Sequence, residues 1–250
     1  AEFTAMLRSP EAREAFTANP TGDVSLMPLT SLIKGRQLKS IVEEALEHLG
    51  GAGASIEDTW KPFFCVAANY SRAFEAVLRR GSLARSIRAS CAVPGLLPPV
   101  PIGGDLMVDG GVFNNYPTDV MARVGAARII GVNISRDAYA DVGYEEVPGS
   151  WTLAWDKVTG SRRKYRVPSL MATLMDATTL YSASRERFSE SMTDLEFKLS
   201  LPSVGILDWQ AFDHAVDVGY RNAAKTLAAL PQEELAAWRG AQGAPAPGPA

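Results

Sequence analysis

Val108-Asp109-Gly110-Gly111-Val112-Phe113-Asn114-Asn115-Tyr116-Pro117 is the stretch on which the reading of this chain turns. Leu106 to Asp109 is a short apolar run of strand character, so Asp109 stands at the carboxyl end of a strand, followed by two residues without a Cβ. Open α/β sheets bind ligands outside the carboxyl ends of their strands, which places Asp109 where a site would be. The same letters also suit a plain Asp-Gly turn, in which the glycines supply positive φ and Asp109 bonds its own backbone. Downstream, Pro117 falls in the first turn of a helix that Gly125 ends.

Working outward, Phe63 to Ala68 and Arg128 to Asn133 are short, continuously apolar runs of the kind that a strand buried on both faces would show. Between them lie a helical piece, Leu83 to Cys91, and a proline-punctuated bend from Pro94 to Pro101. Leu38, Ile41, Val42, Ala45, Leu46 and Leu49 follow helical spacing, and Gly50-Gly51-Ala52-Gly53 stops that helix. After Pro148 come a long helix with Leu170, Leu174, Ala177 and Tyr181 on one face, a strand from Asp194 to Leu199, and a final helix. That last helix has Phe212, Val216, Gly219, Tyr220, Ala223 and Leu227 as its core stripe, with Pro231 just past its end. Strands alternating with helices predict an α/β domain with a mostly parallel central sheet. Residues 1–19 are weakly specified, 20–235 form the domain, and 236–250 are a Gly/Ala/Pro tail.

Composition narrows the function. With 46% hydrophobic and 21% charged residues over 250 positions, the chain is neither disordered nor fibrous. Twenty-five basic against 28 acidic residues leave a net charge of −3, without the basic field that recruits nucleic acid. The two cysteines, Cys65 and Cys91, lack metal-ligand spacing and are too few for a disulfide framework, so a reducing, cytoplasmic setting is expected. No apolar run reaches the roughly 20 residues of a membrane-spanning helix. No spacing implies a metal or an organic cofactor. A nucleotide-binding reading lacks a phosphate loop, because the glycines at 50–53 are not followed by Lys-Ser/Thr.

Three segments together carry a resemblance. They are Arg79 to Val100, with its Ser90-Cys91-Ala92-Val93-Pro94-Gly95 turn; the Asp-Gly-Gly-x-x-Asn-Asn-x-Pro run from Asp109 to Pro117; and Gly125 to Asn133. This pattern resembles the back half of a patatin-like phospholipase domain, and within that family the neuropathy target esterase branch. Pro28 to Gly35 resembles that branch's opening segment, Phe63 to Asn69 its central strand and Asp217-Val218-Gly219-Tyr220 its closing helix. The likeness runs over roughly residues 20–230.

The resemblance implies a three-layer α/β/α fold and a serine acyl-ester hydrolase acting on phospholipids or lysophospholipids through a Ser–Asp dyad. Asp109 matches the aspartate of that dyad, and Gly110, Gly111, Asn114, Asn115 and Pro117 match the supporting motif. The histidine count agrees with a mechanism without histidine: only His48 and His214 exist, both in helix-patterned stretches away from any Asp–Ser constellation. Gly-x-Ser-x-Gly occurs nowhere in the 250 residues, nor does a glycine-rich oxyanion loop. Ser31, Ser55 and Ser90 have no such elbow around them, and Cys91 reads as a buried packing thiol.

Loss of the nucleophile removes on the order of 10⁶ in turnover. The expectation is therefore a domain whose N-terminal part is missing, inactive alone, with exposed sheet surface. A catalytically silent patatin-like binding or scaffold domain is the alternative. Arg162-Arg163-Lys164-Tyr165-Arg166, and Trp151 with Leu153 and Trp155, are candidate contacts for peripheral association with a membrane, and equally a solvated loop and a half-buried face. Arg85 and Arg88 are helix-surface charges or partners of a lipid phosphate.

Overall fold

The structure is a computed structural model in which residues 23–25, 31–47, 51–134, 145–149, 151–152, 170–201, 204 and 211–240 are described. It is an α/β fold. Its better-buried part is a four-stranded sheet in the order β2-β1-β4-β3, where β1 is Cys65–Asn69, β2 Phe74–Leu78, β3 Val100–Ile102 and β4 Asp105–Asp109. All five residues of β1 are buried, as its unbroken apolar letters predict.

The pairing differs from the expected parallel one. β1 runs antiparallel to β2 and to β4, and β3 antiparallel to β4. For the β1–β2 and β3–β4 pairs the reason is connection length: a parallel crossover needs about a dozen residues or more. β1 turns into β2 through Tyr70 to Ala73, with Ala73 at φ 57°, and β3 turns into β4 through Gly103 and Gly104, at φ 60° and 86°. Such a pair of positive-φ residues makes a two-residue hairpin turn. β2 and β3 were not legible as strands. Phe74 and Glu75 begin a run that is only half covered, and Pro101 argued for a bend. Pro101 is tolerated because β3 is an edge strand.

The ends of the two hairpins are clasped. The Asp105 carboxylate accepts from Asn69 Nδ2 at 2.9 Å and pairs with Arg72 Nε at 2.9 Å, which hold its acid below the ordinary range. Ser71 Oγ accepts from the Leu106 N–H, and Leu106 O accepts from the Tyr70 N–H.

Helix α1, Arg36–Ala45, and α2, Leu83–Ser90, cover one side. Ser82 caps α2 by accepting the Arg85 N–H at 3.3 Å. Val42, Leu46, Ile56, Leu83 and Ala84 pack between the helices, and Ala67, Ala76, Ala89, Ala92, Val100 and Met107 form the core under α2. Four alanines in that set let helix and sheet approach closely, without large side chains between them.

Parallel pairing does occur, between β5, Ile130–Asn133, and β6, Leu195–Lys198. Here the expected two-sided burial fails: Ile130 is 55% and Val132 56% exposed, while Gly131 and Asn133 face inward. After α3, Thr118–Arg123, and β5, the long α4 spans Leu170–Glu190. Its expected apolar face is not the covered one, because Leu174, Ala177 and Tyr181 are exposed whereas Ser182 and Ser189 are buried. In α5, Phe212–Ala229, the expected stripe is half-buried at Phe212, Val216, Gly219 and Ala223, and exposed at Tyr220 and Leu227. A further helix, α6, Gln232–Gly240, continues past residue 236, and Arg128 stacks 3.5 Å over its Trp238 ring. Among the described residues no helix is long and apolar enough to cross a membrane.

Candidate active site

Asp109 ends β4 opposite Ala67, and its N–H donates to Ala92 O at 2.9 Å, so strand pairing and the α2 exit fix its backbone from two sides. Gly110 to Val112 then form a single 3₁₀ turn. Asp109 Oδ1 accepts the Gly111 N–H at 2.7 Å; among the described residues Oδ2 has no hydrogen bond. Burial pushes the Asp109 acid above its ordinary value, partly offset by the Gly111 N–H. A carboxylate so placed is a stronger base than one in water.

Gly110 is required by space. A Cβ there would collide with the Val66 carbonyl, because the turn lies directly against β1. A Cβ on Gly111 would lie 3.0 Å from Asp109 Oδ1 and 3.3 Å from Asn115 Oδ1. Beyond the turn, the Asn114 N–H donates to Gly110 O at 2.8 Å, and buried Asn114 donates from Nδ2 to Asp119 Oδ1 at 2.8 Å. Asn115 is exposed, and its N–H donates to Ser182 Oγ at 2.7 Å. Pro117 caps α3, whose Thr118 hydroxyl donates to Ser189 O at 2.6 Å. Asn114 and Asn115 thus tie the Asp109 turn to α3 and to α4.

Cys91, expected to be buried, is exposed. Its thiol still has enough protein around it that burial raises it, with the Asp109 charge adding to the effect. Cys65 is buried and its thiol is pushed up to about 12 by burial, with Cys91 adding. Neither is an activated nucleophile. Ser31 Oγ donates to Ile33 O, Ser55 Oγ to Asp58, and Ser90 lies half-buried at the end of α2. His214 is exposed on α5; His48 lies outside the described residues. Arg85 is exposed and Arg88 half-buried. Trp151 is 91% exposed; Leu153, Trp155 and the 162–166 basic run lie outside the described residues, as do residues 1–19, 28–30 and 241–250. Among the described residues no group of three His, Cys, Asp or Glu side chains could hold a metal ion.

A family model described as patatin-like phospholipase matches residues 11–122, a span that includes Asp109 and its whole motif. Over that span the chain is similar to the patatin-like phospholipases. It is 29% identical over 199 residues to mouse patatin-like phospholipase domain-containing protein 6, covering 78% of this chain and 14% of that protein. It is 28% identical to the Drosophila melanogaster neuropathy target esterase sws, over 77% of this chain and 14% of that protein. An uncharacterized NTE family protein of Mycobacterium tuberculosis is 28% identical over 217 residues, 86% of this chain and 36% of that protein. The chain therefore spans only about one-seventh to one-third of these relatives' length.

Sequence reasoning missed the residues that hold the Asp109–Pro117 run from outside: Glu75, Asp119, Ser182, Arg185 and Ser189. The one available signal was the spacing of Ser182, Arg185 and Ser189, which puts them on one edge of a helix. On a long helix, such polar residues read as the solvent face.

Proposed function

We propose that this chain supplies the aspartate of a Ser–Asp dyad in a lipid acyl-ester hydrolase, with lysophospholipids or phospholipids as substrates. Asp109 is the base, and the serine comes from outside these 250 residues. The observation that carries the reading is the setting of Asp109. Its carboxylate stands at a strand end, one oxygen is held by the Gly111 N–H at 2.7 Å, and burial raises its acid. In the proposed step, Oδ2 accepts the serine hydroxyl proton as the serine oxygen attacks the ester carbonyl. The protonated Asp109 then returns the proton to the leaving alcohol. Gly110 and Gly111 contribute closeness, since side chains there would push the turn off β1 or crowd the carboxylate. The domain reading is part of this proposal: residues 20–235 act as one partial patatin-like unit, in a cytoplasmic setting with peripheral membrane contact.

The test is hydrolysis of a short-chain aryl ester and of a lysophospholipid by the full-length protein, by its Asp109→Asn variant, and by the 250 residues alone. Asp109→Asn is expected to lower turnover on the order of 10⁴-fold, as loss of the group that orients and deprotonates a nucleophile does in other hydrolases. Turnover that survives in Asp109→Asn, or in the isolated 250 residues, would remove the dyad. A full-length protein that binds lipid without hydrolysing it would establish a silent binding domain instead.

A further inference from the structure

Four charged groups meet behind the Asp109 turn. Arg185 on α4 reaches Glu75 Oε2 on β2 at 3.0 Å with one guanidinium nitrogen and Asp119 Oδ2 on α3 at 3.2 Å with the other. Arg123 Nη2 touches Glu75 Oε1 and Asp119 Oδ2, each at 3.2 Å, but its side chain is 62% exposed against 27% for Arg185. The other Asp119 oxygen takes the Asn114 amide, and Asn114 in turn bonds Gly110. The cluster is neutral, two carboxylates against two guanidiniums. A path of ion pairs and hydrogen bonds therefore runs from Arg185 through Asp119 and Asn114 to Gly110, the first residue of the turn that holds the Asp109 carboxylate.

Resting on the reading of Asp109 as the site carboxylate, we propose that Arg185 is a positioning residue for it, locking the turn between β2, α3 and α4. Asp119 is only 8% exposed at its side chain, and a buried carboxylate that loses its partner is strongly unfavourable. Without Arg185, Asp119 keeps only the more exposed Arg123 as an ion-pair partner, is free to swing toward water, and its hold on Asn114 loosens. The forked guanidinium suits two carboxylates on different elements in a way a point charge does not. Arg123, more exposed and more screened, matters less.

Cys91 reports on this without any turnover. It feels the Asp109 charge, and the other thiol nearby, Cys65, stays protonated at mildly alkaline pH. Alkylation of Cys91 by iodoacetamide is followed by peptide mass spectrometry against pH, in the full chain and in its Asp109→Asn variant. Asp109→Asn is expected to speed alkylation about two- to fivefold near neutral pH, because the thiolate no longer forms beside a negative charge. When Arg185→Gln is added to both chains that gap closes, and with Arg185→Lys it returns in part. Should Arg185→Gln fail to fold, the charge-balanced pair Glu75→Gln/Arg185→Gln restores neutrality and folding but not the gap. A gap that persists in folded Arg185→Gln, that returns in the balanced pair, or that is absent with Arg185 intact overturns the proposal. Absence of ester hydrolysis would strike the dyad alone, since the alkylation gap is read without it.

Discussion

β1 and β5 are close in sequence character, Cys-Val-Ala-Ala-Asn against Ile-Gly-Val-Asn, yet only the first is covered on both faces. Each ends in a buried asparagine: Asn69 donates to Asp105, and Asn133 donates to Glu186 at 2.6 Å and to Glu196 at 3.1 Å. What separates them is neighbours. β1 lies between two strands with α2 laid on alanines above it, whereas among the described residues β5 has one strand partner, and Ile130 and Val132 are exposed. An apolar run records that a strand can be buried; the elements around it decide whether it is.

The sharpest break of that comparison is a methyl group on each sheet's tight glycine. Gly110→Ala sets a new Cβ against the backbone carbonyl of Val66, which cannot move without moving β1, so a loss of about 3 kcal/mol or more is expected. Gly131→Ala meets the Tyr116 hydroxyl and ring, which can swing aside at the loss of their contact with Thr193, for about 1–2 kcal/mol. Urea midpoints of the two variants check this. Equal losses would mean that both sheets are equally rigid.

Placing the same substitution on both strands gives the next largest effect. Val66→Thr buries a hydroxyl at a position 6% exposed and should cost about 1–3 kcal/mol. Val132→Thr, at 56% exposed, should stay within about 0.5 kcal/mol. A large loss at Val132, by the same urea titration, would show that the outer face of β5 is covered in solution.

The smallest effect belongs to Asp109, at the carboxyl end of β4 in the well-packed sheet. Its acid is raised by burial, so the folded chain holds that proton more tightly than the unfolded one. Stability from it is complete below the unfolded value and is lost as pH rises through the folded one. Asp109→Asn keeps an acceptor for the Gly111 N–H and carries no charge. It is expected to raise the melting temperature near neutral pH and to do so less in mild acid. A variant that melts earlier at neutral pH would show that the carboxylate is stabilised where it stands.

Much of the buried half was legible because local chemistry and tertiary role coincide there. The β1 run and the Leu83–Cys91 helical piece each have one dominant physical reading, and each formed; the Asp-Gly-Gly run had two, and in the structure Asp109 bonds its own backbone while neither glycine takes a positive φ. The hairpins were not legible because their signals are weak singly. Ala73 is not a residue that announces a left-handed turn, and Pro101 is acceptable only on an edge, which sequence cannot identify. The parallel expectation for the four-stranded sheet failed for the same reason, since unseen strands made the connections look long. On α4 the periodicity selected Leu174 and Tyr181, while the helix turns Ser182, Arg185 and Ser189 toward the Asp109 motif; polar packing leaves no hydrophobic period.

The clasp at Asp105 also settles a question of parity. Side chains alternate across a strand, so a slip of β4 by one residue against β1 would turn every β4 side chain to the opposite face. Asp105 and Asp109 share a face, and the grip of Asn69 and Arg72 on the first permits only the register that pairs Ala67 with Asp109. The far end of the strand, well away from any chemistry, is what determines on which side of the sheet the carboxylate emerges.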